Sequence, residues 1–412
     1  MLHNIQPLLN KQYLKATSAK GIYIVDEHGK KYLDGSSGAV ACSLGHSHPG
    51  IIPVIKQQLD KLQFVYRSQF GSEEAERLAS KLAALSPQQC YQHSFFVNSG
   101  TEAMETAMKT ALQYWQESGH ASKTKFISRW KSYHGITMGA LGLSGHPLRR
   151  QRFEGILEKY PALSADLEND SLEIQTKEFR ETIDRIGANN IAAFVAEPMV
   201  GAAGTCLTPH PEYYRKMKAI CRENNVLFVA DEVMTGLGRT GTWFGLEHWK
   251  ETADIVAVGK SLGAGYAPIA ATLITDDILE PIRKGTGLIM SGHTYSGHPL
   301  SCRTALRVLE VVEEDHLLAN VAEQGAFIKA GLTELKKKFN IIQTVRGKGL
   351  LMGVEFDPAA KGFQAKLIEQ CFTNGLLVYP AVGGKEGKDE NGIIISPPFI
   401  ISQKEASELL DK

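Results

Sequence analysis

The chain has 412 residues, and its 45 Lys and Arg residues balance 45 Asp and Glu residues, so the formal net charge is zero. This balance argues against a nucleic-acid-binding or polybasic membrane-binding protein, because such proteins bind phosphates through clustered Lys and Arg side chains. With 43% hydrophobic and 22% charged residues, the composition is that of an ordinary globular protein and excludes a disordered or fibrous chain.

The remaining compositional signals concern the compartment. The six cysteines are scattered and form no CxxC pair, which argues against a zinc ribbon or a thioredoxin-like motif. The first residues, MLHNIQPLLNKQ, lack the basic and apolar regions of a signal peptide. No apolar run approaches the roughly 20 residues that a membrane-spanning helix needs. We therefore expect a cytoplasmic protein with no membrane or nucleic-acid partner.

The first 270 residues indicate an α/β fold. Residues 21–35 predict a β-hairpin around a turn at residues 27–30, and a Gly- and Ser-rich loop at 36–50 leads to a helix from Pro53. Short apolar strands then alternate with amphipathic helices, and the predicted strands are HSFFVNSG, TKFISRW, NIAAFVAEP, NVLFVADEV and ADIVAVGK. This alternation is typical of a mostly parallel central sheet with helices on both faces.

After residue 300 the pattern changes to that of a small α+β domain. The predicted elements are helices at about 299–314 and 316–339, the segment IIQTVRGKGLLMGVEF, a helix ending near residue 374, and the strands LLVYP and IIISPPFII. We expect this part of the chain to pack with the N-terminal hairpin. The predicted division is a large α/β domain at 51–304 and a small domain formed by 1–50 and 305–412.

A phosphate site is indicated where an apolar strand, residues 94–97, runs directly into a helix. The connecting residues are Ser99, Gly100 and Thr101, so the free N–H groups of the helix start lie at the carboxyl end of a buried strand. Such a helix start favours an anion. The alternative is that Ser99 or Thr101 serves only as the helix N-cap.

Two charged residues end neighbouring apolar segments further along the chain. Asp231 ends NVLFVAD, where a carboxylate is costly unless it meets a cation or a strong donor. Lys260 follows ADIVAVG and has small neighbours that let a planar group approach the backbone. Taken singly, Asp231 could cap a helix or pair with a structural Arg, and Lys260 could simply be solvated.

Taken together, these features predict one site. The spacing between Asp231 and Lys260 suits one strand–connection–strand step, so both side chains emerge at one edge of the sheet, beside the turn at 99–101. A cofactor with a phosphate, a basic ring nitrogen and an aldehyde would use all three features. Pyridoxal 5′-phosphate (PLP) has these groups, with a Lys for the aldehyde and an acid for the pyridine nitrogen.

The sequence resembles the class III, or ω-amino-acid, PLP-dependent aminotransferases of fold type I over nearly its whole length. The blocks that carry the resemblance are YLDGSSGAVACSLGHSHP, FFVNSGTEAMETAMK, SYHGITMGAL, AEPMVGAAG, VADEVMTGLGRTG, VAVGKSLGAGYAPIAA, GHTYSGHPLSC and RGKGLLMGVEF. The resemblance implies a ping-pong transfer of an amino group from an ω-amino acid or amine to an oxo acid. It also implies a homodimer whose subunits share the active site.

The resemblance assigns roles to individual residues. It implies that Lys260 holds the PLP aldehyde, that Asp231 pairs with the pyridine nitrogen, and that Val233 and Tyr133 lie against the two ring faces. Gly100 and Thr101, next to Ser99, would hold the phosphate together with Thr294 of the partner subunit. His134 in the SYHGIT block and Glu197 in the AEPMVG block would lie near the cofactor. Each also has a plain reading as a turn, cap or strand-end residue.

Substrate contacts are expected from segments that line the pocket in the family, namely Ala39, Val40, Tyr66 and Arg67. Arg67 could bind a substrate carboxylate, or it could be a surface or dimer-contact residue. Many relatives carry an Arg shortly before the late PPF segment, but GKDENGIIISPPFII has none. This departure favours pyruvate over 2-oxoglutarate as the oxo acid.

Competing functions are disfavoured. GLGRTG matches the dinucleotide-binding pattern GxGxxG, but the residues after it do not begin a helix. The paired His46 and His48 lie in a Gly- and Pro-rich loop with no carboxylate nearby at the spacing of a metal ligand, so we expect no metal. A PLP-dependent aminomutase, racemase or decarboxylase of the same fold is the alternative, and a non-catalytic scaffold homologue is a further one.

Overall fold

The computed structural model of the chain describes residues 3–384 and 386–412. Its strands are β1 (Ala16–Lys20), β2 (Tyr23–Asp26), β3 (Lys31–Asp34), β4 (His93–Val97), β5 (Lys125–Arg129), β6 (Pro161–Leu163), β7 (Ile191–Ala196), β8 (Leu227–Asp231), β9 (Ile255–Val258), β10 (Ala270–Ile274), β11 (Ile342–Lys348), β12 (Leu351–Phe356), β13 (Leu376–Leu377), β14 (Tyr379–Gly383) and β15 (Asp389–Ile395).

The helices alternate with the strands through the middle of the chain and cluster towards its end. They are α1 (Ser37–Val40), α2 (Ile52–Lys61), α3 (Glu73–Leu85), α4 (Gly100–Glu117), α5 (Met138–Leu143), α6 (Pro147–Arg150), α7 (Leu172–Ile186), α8 (Tyr213–Glu223), α9 (Asp276–Lys284), α10 (Pro299–Glu314), α11 (Leu317–Lys338), α12 (Phe363–Thr373) and α13 (Gln403–Asp411). Within the described ranges, no helix is both long and apolar enough to cross a membrane.

The central sheet has seven strands in the order β4-β10-β9-β8-β7-β5-β6. Strands β9, β8, β7, β5 and β6 pair in parallel, while β10 runs antiparallel to both of its neighbours. Every residue of β7, β8, β9 and β10 is buried. The predicted α/β class with a mostly parallel sheet is therefore confirmed.

Helices cover both faces of this sheet, as the apolar strands require. Leu227 and Val229 of β8 pack on the side of α4 and α9, whereas Phe228 and Ala230 pack on the side of α7 and α8. The apolar residues on the buried face of α4 are Ala103, Met104, Ala107, Met108, Ala111 and Trp115, and Thr106 and Thr110 are buried beside them. This is the stripe that the spacing of apolar residues predicts for a helix lying on a sheet.

Some strands differ from the prediction. The short strands β6 and β10 had no predicted counterpart, because each is preceded or begun by a proline, Pro161 or Pro268. The segment LLVYP divides between β13 and β14, which belong to different sheets. Strand β15 begins at Asp389 and ends at Ile395, since the prolines that follow offer no N–H to a ladder.

The two chain ends form two smaller sheets. One has the order β1-β2-β3-β13 and the other the order β11-β12-β15-β14. The predicted N-terminal hairpin is confirmed, with Tyr23 opposite Leu33, and β13 joins it in parallel through Leu376. A buried apolar cluster joins residues from both chain ends. Helix α10 continues through residue 304, and the domain boundaries at 51 and 304 stay a prediction.

Candidate active site

Three strand ends converge at one edge of the central sheet. Strands β8 and β9 are parallel neighbours, and β4, two strands from β9, has the same direction. Their carboxyl ends surround a cavity of about 230 Å³. Its lining residues are Gly100, Thr101, Tyr133, His134, Gly135, Ile136, Glu197, Ala202, Asp231, Val233, Met234 and Lys260. The structure thus brings together most of the residues that the sequence singled out.

Asp231 provides the acidic side of the cavity. Its side chain is buried at the end of β8, where Oδ1 accepts a hydrogen bond from the Val233 amide at 3.1 Å. Oδ2 lies 2.9 Å from Nδ1 of His134, which is also buried. The other ring nitrogen of His134 has no hydrogen-bond partner among the described residues. An imidazole that donates from Nδ1 orients this carboxylate and leaves Nε2 free to accept.

Lys260 provides the amine. It follows β9 and Gly259, and it begins a single turn of 3₁₀ helix with a positive φ of 39°. Burial lowers the pKa of the Lys260 ammonium, and the positive charge of Arg149 acts in the same direction, against the opposing effects of Asp231 and Glu197. The consequence is a larger fraction of neutral, nucleophilic amine at a given pH than an exposed lysine has.

Glu197 is held between two loops on the other side of the cavity. Its Oε1 accepts from the amide of Tyr133 at 2.9 Å, and its Oε2 accepts from the amide of Gly201 at 3.0 Å. Burial raises the pKa of this carboxyl above its ordinary value. The backbone carbonyl of Glu197 accepts from the buried Arg129 at 2.7 Å. Glu197 therefore ties the loop that carries Tyr133 to the end of β7.

The start of α4 has a capping residue and, among the described residues, two backbone amides without acceptors. Ser99 closes a capping box with Glu102, accepting from its amide at 3.4 Å, so the N-cap role that the sequence left open is present. The amides of Gly100 and Thr101 donate no hydrogen bond within the described chain. A Cβ on Gly100 would come within 2.6 Å of Val233 Cγ1. Ser99 itself does not line the cavity, whereas Gly100 and Thr101 do.

Comparison with known proteins identifies the family. The family model "Aminotransferase class-III" matches residues 8–412. The chain belongs to the class III aminotransferases. It is 48% identical to the uncharacterised aminotransferase YodT of Bacillus subtilis, over 98% of this chain and 95% of YodT. It is 30% identical to the putrescine–pyruvate aminotransferase of Pseudomonas aeruginosa, over 99% of this chain and 92% of that protein.

A solved structure agrees with this family assignment. An amine transaminase from an uncultivated Pseudomonas species, determined in a PLP-bound form, superposes with a TM-score of 0.93 and 31% identity. The match covers all of this aminotransferase and 97% of that chain. The cofactor of the class III aminotransferases is PLP, as predicted.

The residues of the cavity suit PLP. A buried carboxylate, an amine with a lowered pKa and two helix-start amides without acceptors face one space of about 230 Å³. These are the partners that a pyridine nitrogen, an aldehyde and a phosphate require. The missing Cβ of Gly100 lets Val233 lie directly against the start of α4, since a Cβ there would come within 2.6 Å of Val233 Cγ1. The donor set therefore fits the cofactor of the family.

The other predicted residues lie away from this cavity. Thr294 is exposed in the loop before α10, and Tyr66 is 43% exposed. Ala39 is exposed, while Val40 is fully buried with a positive φ of 61°. Arg67 lines a different cavity, where its guanidinium donates to the carbonyl of Ser291 at 2.9 Å and lies 4.3 Å from the ring centre of Phe95. Within one subunit these side chains do not meet Lys260.

Several cavity residues were missed by sequence reasoning. Ala202 lies within the motif block AEPMVGAAG and Met234 within VADEVMTGLGRTG, so their positions beside predicted site residues could have identified them as cavity residues. Gly135 has a φ of 141°, a conformation that strains other residues. Arg149, whose charge acts on Lys260, lies in α6 outside every block and carried no sequence signal.

Proposed function

We propose that this aminotransferase moves an amino group from an ω-amino acid or amine donor to an oxo acid, with pyruvate as the acceptor, by a ping-pong mechanism. The observation that carries the proposal is the placement of Lys260 and Asp231 in one cavity beside the start of α4. The relative named putrescine–pyruvate aminotransferase supports an amine donor and a pyruvate acceptor. The absence of an Arg from residues 387–399 points in the same direction.

Each group of the cofactor has a proposed partner. Asp231 would hold the protonated pyridine nitrogen, and the helix start at Gly100 and Thr101 would hold the phosphate. Val233 and Tyr133 would cover the ring faces. Three further residues would hold these groups in position: Ser99 caps the helix start, His134 contacts Asp231, and Glu197 accepts a hydrogen bond from the Tyr133 amide. When bound, PLP supplies an electron sink that stabilises negative charge on the carbon that carries the amino group.

The chain's own residues then move the proton. With the cofactor bound, Nζ of Lys260 would take the proton from the donor carbon that carries the amino group, as a general base, and would give a proton back as a general acid. Its lowered pKa suits this task, because a general base works best when its pKa lies near the working pH. His134 holds the Asp231 carboxylate from the side, so that the negative charge stays in place through the cycle.

The proposal extends to the assembly and the compartment. Thr294 is exposed and does not line the cavity of its own subunit, which suits a residue that completes the phosphate site of a partner in a homodimer. Four residues outside this loop, Ala39, Val40, Tyr66 and Arg67, would then border the substrate pocket of the partner. A cytoplasmic location is proposed from the sequence features above.

A donor and acceptor panel tests the function. Purified holoenzyme is given β-alanine, other ω-amino acids and diamines with pyruvate or 2-oxoglutarate, and the amino product is measured. Lys260→Ala should abolish turnover and the visible absorption of the lysine-bound cofactor, while still binding PLP. Lys216→Ala, an exposed lysine on α8, is the matched control and should behave like the wild type.

Three outcomes would contradict the proposal. Product formation without an added oxo acid would indicate a racemase, an aminomutase or, with release of CO₂, a decarboxylase. No turnover with any donor, despite a bound cofactor, would favour a scaffold homologue. Normal turnover by Lys260→Ala would exclude Lys260 as the base.

A further inference from the structure

Arg149 and Arg150 are adjacent in α6 but have very different surroundings. Arg150 is buried, and its guanidinium donates to the carbonyls of Leu141, Gly142 and Ser144 at 2.9 to 3.0 Å. Arg149 is half-buried, and its guanidinium meets no carboxylate and donates no hydrogen bond within residues 3–384 and 386–412. Arg150 is thus a structural residue, whereas Arg149 keeps its donors available.

Arg149 lies next to the active-site cavity, against one of its lining residues. Its guanidinium carbon is 4.6 Å from the ring centre of Tyr133, and Tyr133 lines the same cavity as Lys260. A guanidinium stacked on an aromatic ring keeps the N–H groups of its edge directed away from the ring. Burial lowers the pKa values of Lys260 and His146, the latter to about 4, and the positive charge of Arg149 acts in the same direction, whereas at Tyr133 this charge only opposes the rise in pKa that burial causes. Arg149 is therefore a cation at the rim of the cavity.

Other guanidinium groups near the site are already engaged. Arg129 donates to the carbonyl of Glu197 at 2.7 Å, and Arg239 donates to the carbonyls of Leu350 and Pro397 at 3.1 and 2.6 Å. Both are buried. Arg67 donates to a carbonyl along a separate cavity. None of these three arginines offers an unengaged guanidinium group to the cavity that holds Lys260.

We propose that Arg149 binds the carboxylate of the oxo acid acceptor, and of donors that carry one, at the rim formed by Tyr133. This assignment rests on the proposed function and specifies its substrate class as short carboxylic acids. A planar guanidinium matches a carboxylate through two parallel hydrogen bonds, which makes it selective for this group. Arg149 on α6 would thus bind the substrate carboxylate in place of the Arg that many relatives carry before the PPF segment.

The first test measures binding without turnover. Propionate has the length and carboxylate of pyruvate but no group that can react, and its dissociation constant for the holoenzyme is measured by calorimetry. We expect Arg149→Met to weaken propionate binding about 10- to 100-fold, the loss typical of a hydrogen bond to a charged group. Arg149→Lys should retain part of the affinity. Arg152→Met removes an exposed charge three residues away and is the matched control.

The second test measures selectivity in a single half-reaction. Cofactor absorbance is followed after mixing the holoenzyme with β-alanine or with a carboxylate-free amine. Arg149→Met should lower the ratio of kcat/KM values, β-alanine over the amine, about 10-fold or more, and it should do so mainly through KM. Arg67→Met is made in parallel, because the sequence offered Arg67 for the same role.

The outcomes separate this assignment from the function. If the wild type transfers amino groups to pyruvate but Arg149→Met binds propionate equally well, the Arg149 assignment is wrong and the function stands. A selective loss in Arg67→Met alone would overturn the assignment in the same way. If the wild type transfers no amino group yet loses propionate affinity on Arg149→Met, the function is wrong and the carboxylate site stands.

Discussion

Gly100→Ala tests the geometry of the cofactor cradle. The added Cβ would lie 2.6 Å from Cγ1 and 3.1 Å from Cγ2 of Val233, whereas ordinary contacts begin at 3.4 Å. Either Val233 must therefore move by about 0.8 Å, the shortfall to an ordinary contact, or the start of α4 must shift. Overpacking of this size costs about 1–3 kcal/mol. A Cβ on Gly259 would also press on Val233, at 3.3 Å, so Val233 has little room to yield.

We expect this cost to appear in cofactor binding. Apoprotein titrated with PLP should show a dissociation constant about 10- to 100-fold higher for Gly100→Ala than for the wild type. Thermal unfolding of the apoprotein should change little, because alanine favours the first helical turn by about 0.5–1 kcal/mol over glycine and offsets part of the strain.

A double-mutant cycle with Val233→Ala provides the control. This second change removes both methyl groups that the new Cβ would meet, so Gly100→Ala should cost much less in its presence, with a coupling of about 1–2 kcal/mol. A dissociation constant for Gly100→Ala within twofold of the wild type would refute the reasoning. So would additive effects of the two substitutions.

Three further predictions concern charge and reactivity. Asp231→Asn should lower kcat about 100- to 1,000-fold while PLP still binds, and near-normal turnover would refute its role. The hydrogen bond from His46 to Asp34 raises the pKa of His46 to about 10, and contact with Cys42 adds to this shift. Because the charged imidazole stabilises the fold, this contribution is complete below pH 6.5 and is lost as the pH rises towards 10. Urea unfolding should show the wild type losing about 1–3 kcal/mol more than His46→Gln over that interval. Sγ of Cys42 lies 3.7 Å from Nδ1 of His46, whereas burial raises the pKa of the Cys90 thiol. Iodoacetamide at pH 7 should therefore alkylate Cys90 more slowly than Cys42, and equal rates for the two thiols would refute this prediction.

The sheet and the convergence of Asp231 and Lys260 were accessible from sequence for a physical reason. Buried parallel strands are continuous apolar runs, and the chain must return to the same edge after each crossover helix. A polar residue directly after such a run is therefore placed at that edge. Strand β10 breaks this rule, because it runs antiparallel and begins close to Pro268.

What the sequence could not provide is the state of side chains that depends on packing between distant segments. Arg149 and Arg150 are chemically identical neighbours, and only the three-dimensional structure shows that one is enclosed by carbonyls. The close approach of Gly100 to Val233 joins residues that follow different strands. Arg67 was a candidate because its segment lines the substrate pocket in the family, but its contact with Ser291 depends on a loop more than 200 positions away.

The parallel pairing of β3 with β13 affects how the chain can fold during synthesis. Leu33 leaves the ribosome early, but its neighbour Leu376 is translated only near the end of the protein. One edge of the N-terminal hairpin is therefore without its partner for almost the whole of translation. Exposed strand edges recruit other chains, so this edge is where nascent molecules would associate if translation stalled before residue 376.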